Sequence, residues 1–137
     1  MVSLPAILAP AGSKPSFLAA LAAGADAVYC GLKSFSARME AQNFALEELA
    51  SLTALAHGKG TRVFVTLNTL LKPDELEDVG RLLDQLGRHV GPDGVIVQDL
   101  AMAALVRQTG FAGEVHWSTL SNVSFAEALK LVAEKLP

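Results

Sequence analysis

The chain has 137 residues, of which 51% are hydrophobic and 18% are charged, and its formal net charge is −3 at pH 7. This length is close to the commonest size of one domain and allows a substantial buried core. The single cysteine, Cys30, forms no internal disulfide and cannot alone hold a zinc ion or an iron–sulfur cluster. The sequence has no cluster of basic residues, so this part of it gives no direct nucleic-acid signal.

Five short apolar runs, each followed by a helical pattern, predict five βα units in chain order. The first unit has a strand at residues 6–9 and a helix at residues 15–23, which Gly24 ends. The second unit has a strand at residues 26–30, then a polar loop and a helix at residues 46–57.

The third unit contains the clearest strand, residues 61–67, because β-branched and aromatic residues lie between a glycine turn and an Asn-Thr exit. Pro73 then opens a helix that runs to about His89, with carboxylates in its first turn, where the helix dipole favours them. The last two units are predicted from strands at residues 95–97 and 115–117 and helices at residues 99–109 and 125–136.

An internal repeat supports this division into units. GADAVYCG at residues 24–31 and GPDGVIVQ at residues 91–98 each place a glycine and an aspartate before an apolar strand. We therefore interpret both segments as the same helix-to-strand corner.

The regular β-α alternation predicts an α/β fold with parallel strands. Two architectures remain open, namely a doubly wound open sheet or the first five units of a (β/α)8 barrel of the TIM type. The sequence stops after a helix, where a sixth strand would be due. We interpret residues 1–137 as one domain, the N-terminal portion of a truncated barrel.

The strand-to-helix junctions are expected at one rim of the sheet, where such folds bind ligands. The turn at Gly12 offers backbone N–H groups to a phosphate or carboxylate, although a tight turn capped by Ser13 is the alternative. The polar loop from Lys33 to Asn43 is longer than most such connections. Within it, Arg38 is suited to two-point contact with an anion, the alternative being a solvated side chain.

The later junctions carry polar side chains. Asn68 and Gln98 are suited to orienting a polar ligand, and Asp99 is either a ligand contact or the cap of the following helix. His116 and Ser118 lie two residues apart and face the same side of strand five. A hydrolytic triad of Asp99, His116 and Ser118 is the weaker interpretation, and His116 lining a barrel interior is the stronger one.

Five motifs, in order and spacing, resemble the N-terminal part of the collagenase-like peptidase family U32. They are ILAPAGS, GADAVYCGLKSFSARMEAQNF, VFVTLNTLL, VIVQDL and HWSTLSNV. The resemblance implies a (β/α)8 barrel cut after its fifth unit. The family was named for proteolysis, and several branches are associated instead with oxygen-independent hydroxylation of RNA bases or of a quinone precursor.

The resemblance also implies a cofactor and a set of cavity residues. In those branches four cysteines of a later segment hold an iron–sulfur cluster, so we expect no cofactor in this part and no activity from it alone. The family often has a small residue where this chain has Trp117 and an amide where it has Leu120, which implies a somewhat different substrate. Carried over by motif position, the cavity-lining residues are Gly12, Tyr29, Lys33, Arg38, Asn43, Asn68, Gln98, Asp99, His116 and Ser118, while catalytic residues stay unassigned.

The sequence therefore favours a barrel enzyme that binds a small anionic ligand or a base-like ring at its rim. Genuine proteolysis and a non-catalytic binding module are the alternatives. The longest apolar stretch is interrupted by Asp26, and the N-terminus lacks the basic segment of a secretory signal, so we expect a cytoplasmic protein without a membrane partner. Open sheet edges would allow homo-oligomers.

Overall fold

The computed structural model describes residues 4–37 and 41–135. Each of the five predicted βα units is present. The strands are β1 (Leu8–Ala11), β2 (Ala27–Gly31), β3 (Arg62–Leu67), β4 (Gly94–Val97) and β5 (Glu114–Trp117). The helices are α1 (Lys14–Ala22), α2 (Leu46–Gly58), α3 (Leu76–Gln85), α4 (Leu100–Gln108) and α5 (Ala126–Lys135).

All strands are parallel and pair in the order β1-β2-β3-β4-β5. A doubly wound sheet reverses its strand order at a switch point, and this sheet has no reversal among the described residues. Sequential order is the arrangement of consecutive units in a (β/α)8 barrel. The described part of the chain is thus an open α/β sheet consistent with part of such a barrel, with β1 and β5 as its edges.

Two predicted elements differ from the structure. The first strand lies at Leu8–Ala11 rather than residues 6–9. It starts later because the Ile7 N–H donates to the Asp26 carboxylate in the turn before β2. It ends later because parallel pairing with β2 continues to Ala11. The predicted helix from Pro73 to His89 is three consecutive segments. A 3-10 turn (Pro73–Glu75) precedes α3, and a π-helical turn (Leu86–Val90) follows it.

Helices α1 to α4 cover one face of the sheet. Side chains alternate along each strand, so one set packs on the helices and the other faces away. The packed set comprises Val28, Cys30, Val63, Val65, Leu67, Val95 and Val97, which form one core with Phe17, Leu49, Leu83 and Met102 from the helices. The register places the alternate set, Tyr29, Phe64, Thr66, Ile96 and His116, on the opposite face, called here the inner face. Proximity of polar groups on that face is therefore set by strand register.

The internal repeat corresponds to one repeated structural corner. Gly24 and Gly91 both have positive φ, which glycine adopts without steric cost. The carboxylate of Asp26 then accepts the Ile7 N–H at 2.7 Å, and the carboxylate of Asp93 accepts the Val63 N–H at 2.7 Å. Each aspartate therefore ties its own strand to the start of the preceding one.

None of the helices among the described residues combines the length and apolar character needed to cross a membrane.

Candidate functional site

An open cavity of about 580 Å³ lies at the carboxyl ends of the strands. The junctions after β1, β2, β3 and β5 contribute to it, as expected for a parallel sheet. Of the predicted site residues, the structure brings together Gly12, Tyr29, Asn43, Asn68, His116 and Ser118 around this cavity. Trp117 and Leu120, where the sequence departs from the family pattern, also line it.

The other predicted site residues are placed differently. Lys33 is exposed and, like Gln98, is not among the cavity-lining residues. Asp99 caps α4, because one carboxylate oxygen accepts the Ala101 N–H at 2.7 Å and the other accepts the Leu71 N–H at 2.9 Å. Arg38 lies outside the described residues. Of the two roles predicted for Asp99, the structure therefore shows the helix cap.

The loop between β2 and α2 forms one wall of the cavity. The buried Ser36 hydroxyl lies 3.2 Å from the Thr66 hydroxyl, which in turn donates to the Cys30 carbonyl at 3.2 Å. The Asn68 side-chain oxygen accepts the Ala37 N–H at 3.1 Å. These bonds fix the loop to the end of β3 rather than leaving it a solvated connection.

The other end of this loop returns to the first junction. Asn43 has a φ of 49°, and its N–H donates to the Gly12 carbonyl at 3.1 Å. Phe44 is buried and meets Phe17 of α1 edge to face, with ring centroids 5.9 Å apart. The turn at Gly12 is followed by Ser13, whose side chain caps α1 in a capping box with Ser16.

His116 of β5 and Ser118, the residue directly after this strand, have different partners. The Ser118 hydroxyl accepts the Leu120 N–H at 3.2 Å, and its backbone N–H donates to Val97. The His116 Nε2 atom lies 2.7 Å from Glu114 Oε2. Since the Asp99 carboxylate caps a helix instead, these residues do not form a hydrolytic triad.

Cys30 faces the helical core. Its side chain is 2% exposed, and its thiol donates weakly to the Phe64 carbonyl at 3.9 Å. Burial raises the pKa of the Cys30 thiol to about 12. A thiolate is the form that attacks substrates and binds metals, so Cys30 is suited to neither role. The iron–sulfur cluster that the family resemblance implies therefore has no fitting ligand among the described residues.

Sequence reasoning did not identify three residues that adjoin His116 on the inner face. Arg62 Nη1 lies 2.9 Å from Glu114 Oε1, and the Arg62 guanidinium lies 5.1 Å from the centroid of the Phe64 ring. The Phe64 and His116 ring centroids are 4.7 Å apart. The sequence signal that could have found these residues is the alternation of side chains along a strand. This alternation places Arg62 on the same face as Phe64 in β3, and Glu114 on the same face as His116 in β5.

Comparison with known proteins adds independent findings. The chain matches the family described as Peptidase family U32 over residues 12–136. It is 38% identical over 128 residues to the 23S rRNA 5-hydroxycytidine C2501 synthase of Escherichia coli strain K12, which is 93% of this chain and 19% of that protein.

Two further relatives have different names. The chain is 34% identical to a collagenase of Porphyromonas gingivalis, over 90% of this chain and 30% of the relative. It is 31% identical to the tRNA hydroxylation protein P1 of Bacillus subtilis, over 96% of this chain and 31% of the relative. The chain thus spans less than a third of the length of each of these three proteins.

A solved structure described as the U32 peptidase Mk0906 has a similar fold. The TM-score is 0.66, and the similarity covers 93% of this chain and 54% of that one. Sequence identity is 17%, so this similarity concerns the fold.

Proposed function

The chain belongs to peptidase family U32, and we propose that it is the N-terminal part of a (β/α)8 barrel enzyme that hydroxylates RNA bases without molecular oxygen. Membership rests on the match over residues 12–136. The observation that carries the functional proposal is the 38% identity to an rRNA 5-hydroxycytidine synthase over 93% of this chain, a span that includes residues of the cavity.

The barrel interpretation is supported by topology. Five parallel strands in sequential order leave two open edges, and in a (β/α)8 barrel three more strands would lie between them. The chain also covers 54% of the solved family member and smaller shares of the curated relatives. We propose that the remaining strands come from polypeptide beyond this sequence.

The chemistry of the cavity supports a base-like ring as ligand. Its lining combines neutral amide and hydroxyl side chains, such as Asn43, Asn68 and Thr66, with the rings of Tyr29 and His116. Such a lining recognises the polar edge and the flat face of a heterocycle. We further propose that cationic side chains at the rim, Arg38 among them, contact the phosphates of the RNA.

The cofactor belongs to a different part of the proposed enzyme. An iron–sulfur cluster requires thiolate ligands, and Cys30 is a buried core thiol with a raised pKa. We propose that four cysteines beyond this sequence hold the cluster, which would supply the electron transfer needed for hydroxylation. The residues of this chain would bind and orient the base at the rim.

Proteolysis is the second candidate, because the chain is 34% identical to a protein named collagenase. The geometry favours it less. Ser118 and His116 have separate hydrogen-bond partners, and the thiol of Cys30 is buried with its pKa raised.

Complementation tests the two candidates together. The complete reading frame containing this sequence would be expressed in Escherichia coli lacking the 23S rRNA 5-hydroxycytidine C2501 synthase, with empty vector as control. Mass spectrometry of nucleosides from digested rRNA and tRNA should show more hydroxylated pyrimidine with the gene than with empty vector, in anaerobic as well as aerobic cultures. Unchanged nucleosides together with cleavage of denatured collagen by the purified protein would instead establish the peptidase.

A further inference from the structure

A compact polar cluster occupies the inner face across three strands. Its members are Arg62 and Phe64 of β3, Gly94 of β4, and Glu114 and His116 of β5. The absence of a side chain at Gly94 creates the space, because a Cβ there would lie 3.0 Å from two atoms of the Phe64 ring and 2.6 Å from the Glu114 carbonyl oxygen. The Phe64 ring can therefore lie over β4 and meet the His116 ring.

The pairing of His116 with Glu114 defines which ring nitrogen carries hydrogen. The hydrogen bond from His116 is the largest cause of a lowered pKa at Glu114, so Glu114 is a carboxylate at neutral pH. A carboxylate only accepts hydrogen bonds, so Nε2 of His116, at 2.7 Å, must be the donor. In the neutral ring, Nδ1 then carries a lone pair.

Two neighbours hold this pair in place. Arg62 binds the second oxygen of Glu114 at 2.9 Å, and the Phe64 ring packs beside His116. The His116 and Glu114 side chains are 46% and 53% exposed, so the hydrogen bond between them contributes little to folding stability. Orientation of the imidazole is a better account of the arrangement than stabilisation of the sheet.

His116, unlike Glu114 and Arg62, lines the cavity. Among the described residues, Nδ1 of His116 has no hydrogen-bond partner. Tyr29 of β2 lines the same cavity, and β4 contributes the uncharged Ile96. A ligand that enters from the rim can therefore present an N–H group to an acceptor whose orientation is already fixed.

We propose that His116 is the hydrogen-bond acceptor for a ring N–H of a planar heterocycle bound in this cavity, and that Glu114 is its positioning residue. The choice of a pyrimidine as that heterocycle rests on the proposed function. Of the two RNA pyrimidines, uracil presents such a group at N3, whereas N3 of cytosine is itself an acceptor, so this histidine would select uridine. No bond other than the hydrogen bond forms in this step.

The test compares two nucleosides that differ at one atom. Uridine carries N3–H, and 3-methyluridine lacks it. Isothermal titration of the purified protein from the complete reading frame should show uridine binding about 10-fold more tightly than 3-methyluridine, the size expected for one well-made hydrogen bond. His116→Ala should remove this difference.

Glu114→Gln separates the proposal from simple steric exclusion of the methyl group. The variant keeps the volume of His116, but an amide can donate to Nε2 and so permits the tautomer with hydrogen on Nδ1. The preference for uridine should fall below about 3-fold. His89→Ala, which changes an exposed histidine at the far end of the π-helical turn, is the matched control and should keep the full preference.

Equal binding of the two nucleosides by the unaltered chain, no binding of either, or a preference that survives in Glu114→Gln would each overturn the proposal. Its failure differs from failure of the proposed function. Hydroxylated RNA in the complementation experiment together with no uridine preference refutes the role of His116 alone. A preference for uridine without hydroxylated RNA refutes the proposed activity alone.

Discussion

Replacement of Gly31 by alanine should disrupt the wall of the cavity. Gly31 is the last residue of β2 and is buried beneath the loop that follows it. A Cβ at this position would lie 2.3 Å from the Ser36 hydroxyl oxygen, 2.9 Å from the Ser36 Cβ and 3.0 Å from the Asn43 side-chain oxygen. Because these separations are below van der Waals contact, the loop must move away from the strand in Gly31→Ala.

The expected cost follows from two terms. Overpacking of a close-packed site costs about 1–3 kcal/mol. Displacement of Ser36 also breaks its 3.2 Å hydrogen bond to Thr66, a loss of about 0.5–1.5 kcal/mol. The free energy of unfolding should therefore fall by about 1.5–4.5 kcal/mol, a large part of the total for a domain of this size.

Urea denaturation followed by circular dichroism measures this change. Gly58→Ala is the matched control, because a Cβ at Gly58, the last residue of α2, meets no atom within 4 Å. This control should be unchanged or more stable by up to about 1 kcal/mol, since alanine favours the helix.

A double mutant identifies the cause. Ser36→Gly removes the two closest contacts with the new methyl group, so Gly31→Ala combined with Ser36→Gly should be less destabilised than the sum of the single variants, by about 1 kcal/mol or more. A Gly31→Ala variant within 0.5 kcal/mol of the unaltered protein, on the order of ordinary surface effects, would refute the reasoning. Strict additivity of the two substitutions would refute it equally.

Three further predictions concern other parts of the fold. The pKa of Glu114 should rise toward its ordinary value in His116→Ala, as measured by carboxyl NMR titration. In the unaltered chain, the stability linked to Glu114 should be present above its unfolded pKa and be lost as pH falls through the lower folded value. Cys30 should resist iodoacetamide at pH 8 until urea unfolds the chain, because burial raises its pKa to about 12. Asp93→Ala should lower the urea midpoint more than Asp26→Ala, because His57 lies 2.9 Å from Asp93, which also accepts a backbone N–H, whereas Asp26 accepts one such bond.

The elements that could be predicted from sequence are those with local causes. Residues 61–67 contain the third strand because β-branched residues meet a glycine turn, and Gly24 and Gly91 mark the same corner twice. The capping alternative for Asp99 also follows from local chemistry. The start of β1 was misplaced because its pairing depends on Asp26, which is 19 residues away from Ile7.

The cavity could be predicted in part for the same reason. The positions of His116 and Asn68 in the family motifs predict that both line the cavity, and the structure places both there. The partners of His116 could not be predicted, because Arg62 and Glu114 are 52 residues apart and meet only through the register of three strands. Gly94 likewise has no local signal, since its role is to leave space for a ring from the neighbouring strand.

The two faces of the sheet separate stability from function. Val63, Val65, Val95 and Val97 are fully buried against the helices, so truncation of any of them removes core contacts. Arg62, Glu114 and His116 are exposed on the inner face, where substitution removes little buried surface. Loss of activity without loss of stability is therefore the expected signature of the inner face. Loss of both is the expected signature of the face that packs on the helices, and the contrast can be measured in one set of variants.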